Sequence, residues 1–479
     1  MKNTIIISSF IALLFTGCTA EDVNNDPHVT YTTIPETLVT YAEKELSDYM
    51  NTPSVNENNF RLTMQYWQES IYVNESNYNF TARNVSNNVW GDNYVNVLNN
   101  LAKAKELIEQ YQPVPSELNT WPAKRQNQLA IIDILSVYTF QTLTDTFGDI
   151  PYSQALNNSQ FPLPAYDDDA QIYEKLIIRL KTDINALQDG KGTFGQGDIL
   201  YGGDIGKWKK FGNSLLLKLG IALSDVNPSL AQSTINAAIS GGVITDASQS
   251  GLFRYLAETP NFSPLFENVV NSGRDDFFAG KPLIDFLTAT SDVRISKYFQ
   301  DVNGIYIGQV IGLPGEFSAF SAPGVFAYTP VTPGNLITHT EVAFYLAEAA
   351  ARFGIGGNPE VLYNNAVQAS FSEWGFSLQD AQDYLTNHPY NAANWKKSIG
   401  EQVWVAMYNH PVISWNFYRR LDYPALQAPP TAINNAGGKV PVRLQYPTLE
   451  ATTNGTNYAK AAAAIGGDKL TTKVFWDTH

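Results

Sequence analysis

Apolar residues recur every three to four positions over most of the chain, and this spacing predicts amphipathic helices. The clearest stripe follows Asp204 and runs from Trp208 through Leu215 to Val226. Pro228 then suits the first turn of a companion helix, where its missing N–H is not needed. The same period predicts helices over 34–50, 60–69, 88–111, 123–144, 204–226, 228–239, 342–354, 359–369, 377–388 and 395–420.

Two of these segments form a recognisable pair. A helix that ends near Gly354 is followed by a Gly-rich turn, and Pro359 opens the next helix with small residues such as Ala366 and Ala369 at the contact. Two helices joined in this way resemble a tetratricopeptide unit. No strict 34-residue period extends along the chain, so any repeats are divergent.

The helical period is lost between about 241 and 335, where Gly, Pro, Ser and Phe dominate and only Gly304–Gly308 has a strand-like pattern. We predict an irregular insert here between two helical halves. Long loops on a rigid helical frame are a usual place for binding residues. The final stretch from Asn434 also has a loop-like composition.

The N-terminus has the pattern of an export signal. Lys2 precedes an apolar run from Ile5 to Phe15, which is too short for a membrane span of about 20 residues. Small residues then lead to Cys18, the single cysteine of the chain, as in a bacterial lipoprotein signal, in which the thiol is acylated and cleavage leaves that cysteine as residue one. We therefore predict a signal peptide at 1–17, an acylated tether at 18–33 and a folded domain at 34–479. The alternative is an ordinary signal peptide with an incidental cysteine.

Charge and composition exclude some partners. Acidic residues outnumber basic ones 46 to 31, and a net charge of −15 disfavours nucleic acid. The chain carries 9 Trp, 26 Tyr and 25 Phe. Rings beside amide side chains suit a sugar-binding surface, because rings cover C–H faces while amides reach hydroxyls. The same composition also fits a large helical core.

No motif commits the chain to catalysis. The sequence has no H-E-x-x-H, P-loop or G-x-S-x-G motif, and its five histidines are scattered singly. We predict no enzyme activity and no cofactor. The run Asp167–Asp169 is typical of a solvated helix start, with a cation site as the alternative. The sequence leaves open a structural calcium ion, and also a pair of carboxylates spaced for glycoside hydrolysis.

Seven segments in a fixed order resemble motifs of the SusD/RagB family of nutrient-binding outer-membrane lipoproteins, and more closely its SusD-like type 2 branch. They include F-G-D-I-P-Y-S-Q-A and K-W-K-K-F-G-N-S-L, and one departure, Val293, where the family often has proline. The segments are 24–27, 146–155, 203–215, 292–294, 341–350, 415–424 and 443–447. For Asp149, Trp208, Asn213, Arg419 and Arg420 within them, structural roles are favoured over ligand contact.

The resemblance implies a superhelical scaffold of tetratricopeptide-like helix pairs that supports a loop-rich half. It also implies a lipid-anchored protein on the outer membrane of a Gram-negative bacterium, facing the cell exterior. Such a protein captures oligosaccharide or peptide nutrients and delivers them to a SusC-like TonB-dependent transporter barrel. A lipid-anchored glycan hydrolase and a structural scaffold lipoprotein are the alternatives.

Two aromatic-rich stretches lack a clean period, and the resemblance places ligands on loops of the irregular half near the N-terminal helices. The ligand-binding candidates are Trp67, Tyr72, Tyr78, Arg274, Phe317 and Phe320. In the alternative interpretation Trp67 caps the core and the phenylalanines cover the interface with the barrel.

Overall fold

The computed structural model describes residues 33–433 and 436–479. The predicted signal peptide, Cys18 and nearly all of the tether lie outside the described residues. The helices are α1 (Pro35–Asn51), α2 (Phe60–Thr63), α3 (Val85–Gly91), α4 (Asn99–Gln110), α5 (Trp121–Phe147), α6 (Asp169–Ala186), α7 (Ile205–Ala222), α8 (Pro228–Gly241), α9 (Pro264–Phe266), α10 (Lys281–Ala289), α11 (Ile295–Tyr298), α12 (His339–Phe353), α13 (Pro359–Glu373), α14 (Leu378–Asn387), α15 (Trp395–Ala406), α16 (Pro411–Leu421), α17 (Thr448–Thr453) and α18 (Gly455–Ala464). The strands are β1 (Trp67–Glu69), β2 (Gly251–Phe253), β3 (Phe277–Ala279) and β4 (Gly334–Ile337).

Paired helices form the frame, which confirms the predicted mainly helical, tetratricopeptide-like fold. The most extensive helix contacts are α1 with α4, α5 with α6, α7 with α8, and α12 with α13. Small residues allow the close approach: a Cβ on Gly220 of α7 would lie 3.0 Å from the Ile235 side chain of α8. No helix in the described part of the chain is long and apolar enough to cross a membrane.

Side-chain caps explain why these helices begin where they do. The side chains of Asp204, Asn227 and Asn358 each accept a hydrogen bond from a backbone N–H of the first turn. A cap of this kind stabilises a helix by about 1 kcal/mol. Asp168 caps α6 in the same way, so the acidic run is the helix start that the sequence predicted.

Two helix predictions and one loop prediction were wrong in extent. Segment 60–69 is helical for one turn only, because Gln65 has a left-handed backbone (φ 59°) and strand β1 follows it. Segment 395–420 is two helices: α15 ends at Ala406, and Pro411 opens α16 at a first-turn position where its missing N–H is not needed. Beyond residue 434, the predicted loop instead contains α17 and α18.

The irregular insert is present, and its order comes from two short antiparallel sheets. Strand β1 pairs with β3, and β2 pairs with β4. The strand-like pattern at 304–308 was misleading: Ile305 makes one isolated bridge to Val302 and no strand forms there. The β1–β3 sheet therefore ties the insert to the N-terminal part of the chain, and the β2–β4 sheet joins the two ends of the insert.

The family-like motifs are structural. Trp208 is fully buried and its Nε1 donates to Asp198 at 2.6 Å, while the Asn213 amide donates to the Lys209 carbonyl at 2.9 Å. Asp149 accepts from the backbone N–H of Asp169 at 3.0 Å.

The two motif arginines near the C-terminus are also buried. Arg419 donates to the carbonyls of Asp145 and Val442, and the second contact ties down the C-terminal loop. Arg420 instead binds both carboxylate oxygens of Glu348, in the middle of α12, at 2.9 and 2.8 Å.

Candidate ligand-binding site

Three loops meet where β1 pairs with β3. We call loops 70–79, 271–276 and 312–320 together the three-loop surface. At its centre, three hydrogen bonds fix the position of Ser70. Its N–H donates to the Asp276 carbonyl at 2.8 Å, its hydroxyl donates to the Asp275 carbonyl at 2.7 Å, and its carbonyl accepts from Gly315 N at 2.8 Å. The antiparallel register of β1 and β3 thus joins parts of the sequence about 200 residues apart.

The two phenylalanines among the predicted ligand-binding residues pack on the same buried ring. The rings of Phe320 and Phe317 lie 4.8 and 6.5 Å from the ring of Phe278, which is fully buried in β3. Gly315 permits this packing, since a Cβ there would lie 2.6 Å from Cε2 of Phe320. Both predicted rings are half-buried, so each keeps an exposed part.

The loop rims carry exposed apolar and cationic groups. Ile71 and Tyr72 are each 68 % exposed, and Leu313 is 41 % exposed. The Arg274 side chain is 62 % exposed and pairs with Asp276 at 3.1 Å. A cluster of exposed apolar groups next to a charged hydrogen-bond donor is typical of an interaction or ligand-binding surface.

Trp67 and Tyr78 point inward. Both side chains are fully buried, and so offer a ligand no exposed surface in this conformation. The Trp67 ring packs on Phe277 at 5.3 Å, and the Tyr78 hydroxyl accepts from the Gln65 amide at 3.3 Å. These two residues support the surface, while Tyr72, Arg274, Phe317 and Phe320 remain as its accessible candidates.

A buried carboxylate pair shapes loop 70–79. One oxygen of Glu69 accepts from both the N–H and the hydroxyl of Ser76 at 2.8 Å, and Glu75 pairs with Arg83 at 3.1 Å. Burial and a hydrogen bond with Glu75 raise the pKa of Glu69. The loop that presents Tyr72 is therefore closed over a fixed internal network.

A second feature lies elsewhere and was not predicted from the sequence. A cavity of about 950 Å³, here called the α13 cavity, lies between α13 and segments 245–252 and 326–340. Trp374 and Phe376, just past the end of α13, line it together with Asn335, Asn365 and Gln368. The cluster Trp374–Gly375–Phe376, aromatic residues outside the helical period, was the available sequence signal.

One carboxylate pair bears on the hydrolase alternative. Asp133 and Asp183 line a cavity of about 560 Å³ beside Arg179. Burial and the neighbouring Asp133 raise the pKa of Asp183. Both carboxylate oxygens of Asp133 are held by the Arg179 guanidinium, at 3.0 Å from Nε and 2.5 Å from Nη2, so Asp133 is an ion-pair partner. This pair gives glycoside hydrolysis no support.

The acidic cluster at the start of α6 already accepts hydrogen bonds from backbone N–H groups. Oxygens of Asp149, Asp168 and Asp169 lie within 4.8 Å of one another. One oxygen of each accepts a backbone N–H, from Asp169, Gln171 and Phe475 respectively. Burial raises the pKa of Asp149 to about 6 and that of Asp169 to about 7, which lowers the charge available to a cation.

Comparison with known proteins identifies a family and several solved structures that this chain resembles. The SusD-like_2 family model, described as "Starch-binding associating with outer membrane", matches residues 25–447. A chitin-binding protein of solved structure is 26 % identical with a TM-score of 0.78, covering 93 % of this chain and all of that one. No curated protein matches the chain.

Two further solved structures show the same fold. A SusD homologue from Bacteroides thetaiotaomicron is 24 % identical with a TM-score of 0.77, covering 94 % of this chain and 100 % of the other. A chitin-binding SusD homologue from Flavobacterium johnsoniae is 21 % identical with a TM-score of 0.75, covering 92 % and 99 %.

Proposed function

Because this chain belongs to the SusD-like_2 family of outer-membrane-associated, starch-binding proteins, we propose that it captures oligosaccharides at the cell surface and delivers them to a SusC-like TonB-dependent transporter. The closest support for glycan as cargo is the naming of two structural relatives as chitin-binding. Peptide is the competing cargo, and the experiment below separates the two.

The convergence of the three loops is the observation that carries this proposal. Tyr72 offers an exposed ring for the C–H face of a sugar, and the Arg274 guanidinium offers donors to hydroxyl oxygens. Two or three such rings at about 0.5–1.5 kcal/mol each, with a few hydrogen bonds, correspond to affinities in the micromolar to millimolar range. That range suits a protein that must release its cargo to a transporter.

Membrane attachment would come from Cys18. One acyl chain, at about 0.8 kcal/mol per buried CH₂, binds a membrane only marginally, whereas two or more hold a protein stably. An acylated Cys18 would leave the folded domain connected through the tether 18–33, so that the domain could act as a movable lid on the barrel. In this role the protein binds its cargo and does not cleave it.

Titration calorimetry on the soluble mature protein, with Cys18 replaced by alanine, tests the capture step. Maltoheptaose, chitohexaose and a set of short peptides are titrated into the wild-type site and into Tyr72→Ala. We expect at least one oligosaccharide to bind and Tyr72→Ala to weaken it about tenfold, which corresponds to 1.4 kcal/mol. Tyr41→Ala is the matched control, because Tyr41 is also exposed (42 %) but lies on α1, away from the three-loop surface.

Three results would overturn the proposal. Binding of peptides alone would reject glycan as the cargo. Unchanged affinity in Tyr72→Ala would reject the three-loop surface as the site. Release of reducing sugar during the titration would recover the hydrolase alternative.

A further inference from the structure

The α13 cavity is built like a binding site, with a buried polar floor and an exposed mouth. Asn335 and Asn409 on the floor are only 8 and 6 % exposed. Asn365 and Ser372, on α13 at the mouth, are exposed. At about 950 Å³ the cavity lies at the upper end of the roughly 300–1,000 Å³ of small-molecule sites. That size suits an extended ligand better than a single small one.

Its amide side chains have unused hydrogen-bonding capacity. Within the described residues, the side-chain amides of Asn335, Asn365 and Gln368 make no hydrogen bond. Asn409 accepts from Arg61 at 2.8 Å, and its NH₂ group has no partner there. The unpaired amide atoms of Asn335 and Asn409 are not fully buried, so each can be reached from the cavity. Two nearly buried amides directed into one cavity are therefore groups that a ligand can satisfy.

The charges of the cavity define the kind of ligand. Its lining contains the carboxylates of Asp246 and Glu373 but no lysine or arginine. Burial lowers the pKa of the third ionisable group, His339, so its imidazole is neutral near pH 7. Anionic ligands such as phosphates or uronates would meet only negative charge. Amides and hydroxyls instead match a neutral ligand rich in hydroxyl groups.

One wall of the cavity is rigid and aromatic. The Trp374 ring is held edge-on by Phe326 at 5.3 Å and by Tyr298 at 4.7 Å. A fixed ring loses little conformational freedom on binding and can cover the C–H face of a pyranose. An aromatic wall and free amides in one cavity are the combination expected for sugar recognition.

We propose that the α13 cavity is a second binding site, specific for a neutral oligosaccharide and separate from the three-loop surface. None of its lining residues belongs to loops 70–79, 271–276 or 312–320. The inference shares only the ligand class with the proposed function. Two sites on one chain would also raise the effective concentration of a long glycan at the surface.

A blocking substitution tests the cavity without disturbing its floor. Ser372→Trp adds a large side chain at the exposed mouth, where the serine hydroxyl makes no hydrogen bond within the described residues. Val361→Trp is the matched control, because it adds the same bulk at an exposed position of α13 (54 %) that does not line the cavity. Both are made in the soluble mature chain and titrated calorimetrically with maltoheptaose, chitohexaose, cellohexaose and an anionic oligogalacturonide.

We expect at least one neutral probe to bind the wild type with two sites, and the oligogalacturonide not to bind the cavity. Ser372→Trp should remove one site, Tyr72→Ala should weaken the other, and Val361→Trp should change neither. If Ser372→Trp leaves the isotherm of every neutral probe unchanged, the inference is overturned. It is also overturned if no neutral probe binds the wild type. If Ser372→Trp abolishes binding and Tyr72→Ala does not, the α13 cavity stands and the three-loop surface fails.

Discussion

The indole Nε1 of Trp67 donates a hydrogen bond of 2.7 Å to the hydroxyl oxygen of Tyr408, joining strand β1 to the turn between α15 and α16. The Tyr408 hydroxyl in turn donates to the Tyr298 carbonyl at 2.9 Å, and the rings of Tyr298 and Tyr408 stack at 4.3 Å. Trp67 therefore anchors the strand from which loop 70–79 departs. Its buried ring and N–H hold that loop in place.

Tyr408→Phe should lower stability and leave ligand affinity unchanged. The substitution removes the acceptor of the Trp67 N–H and the donor to the Tyr298 carbonyl, at a cost of about 1–3 kcal/mol. Urea unfolding measures the stability, and calorimetry on the same preparation measures the affinity. Tyr41→Phe, at an exposed tyrosine, serves as the control. Reduced affinity at unchanged stability would instead indicate that this buried group takes part in ligand contact.

The stability of the protein should depend strongly on both partners of the buried Glu348–Arg420 ion pair. Arg420→Met should cost about 3 kcal/mol, because it removes the bidentate partner of a fully buried carboxylate and leaves it only the Arg352 Nε contact at 2.8 Å. The double variant Glu348→Met with Arg420→Met should recover much of that loss, since Arg352 keeps its contact with Asp225 at 2.7 Å. Urea unfolding of the wild type, Glu348→Met, Arg420→Met and the double variant gives the comparison. A double variant as unstable as the sum of its parts would contradict it.

The raised pKa of Asp169 predicts a pH dependence of stability. Burial, followed by the charge of Asp149, raises the pKa of Asp169 from 3.8 to about 7, so the folded protein retains a proton that the unfolded chain releases. Its contribution to stability is fully present below pH 3.8 and is lost as the pH rises through about 7. The urea midpoint of the wild type should fall across this range.

Asp169→Asn should flatten that slope, because the amide is neutral at every pH and its oxygen can still accept the Phe475 N–H. Asp168→Asn, at the exposed helix cap, should keep the wild-type slope. Equal slopes in all three proteins would show that Asp169 does not hold the proton. Repeating the series with calcium chloride tests the acidic cluster: a wild-type slope that calcium alone abolishes would identify a cation site.

Cys18→Ala should separate capture from uptake. The soluble variant should bind oligosaccharide with wild-type affinity, because the described ligand candidates all lie beyond residue 66. In the cell it should fail to support growth on the cognate glycan, because the domain would no longer be held at its transporter. Growth equal to wild type would reject the lipid-anchored role, and Cys18→Ser is the conservative companion variant.

Much of the frame could be predicted from the sequence, because the signals involved are local. The stripe of α7, its Asp204 cap and the Asn358–Pro359 start of α13 each depend on residues within a few positions of one another. The family-like motifs, which follow one another in the family's order, predicted the fold of the whole chain. The wrong prediction at 60–69 is of a different kind: strand β1 forms there by pairing with β3, some 200 residues away.

The candidate site shows the same difference between local sequence signals and long-range packing. The sequence determined that aromatic residues gather in 66–78 and 317–328, but irregular loops have no period that assigns a side chain to solvent or core. Only the pairing of β1 with β3 and the contacts to Tyr408 and Gln65 decided that Trp67 and Tyr78 face inward while Tyr72 is exposed. The α13 cavity likewise exists only where a helix end and two distant segments enclose it. Helix formation follows from short-range periodicity and capping, whereas exposure and enclosure depend on which distant segments pack together.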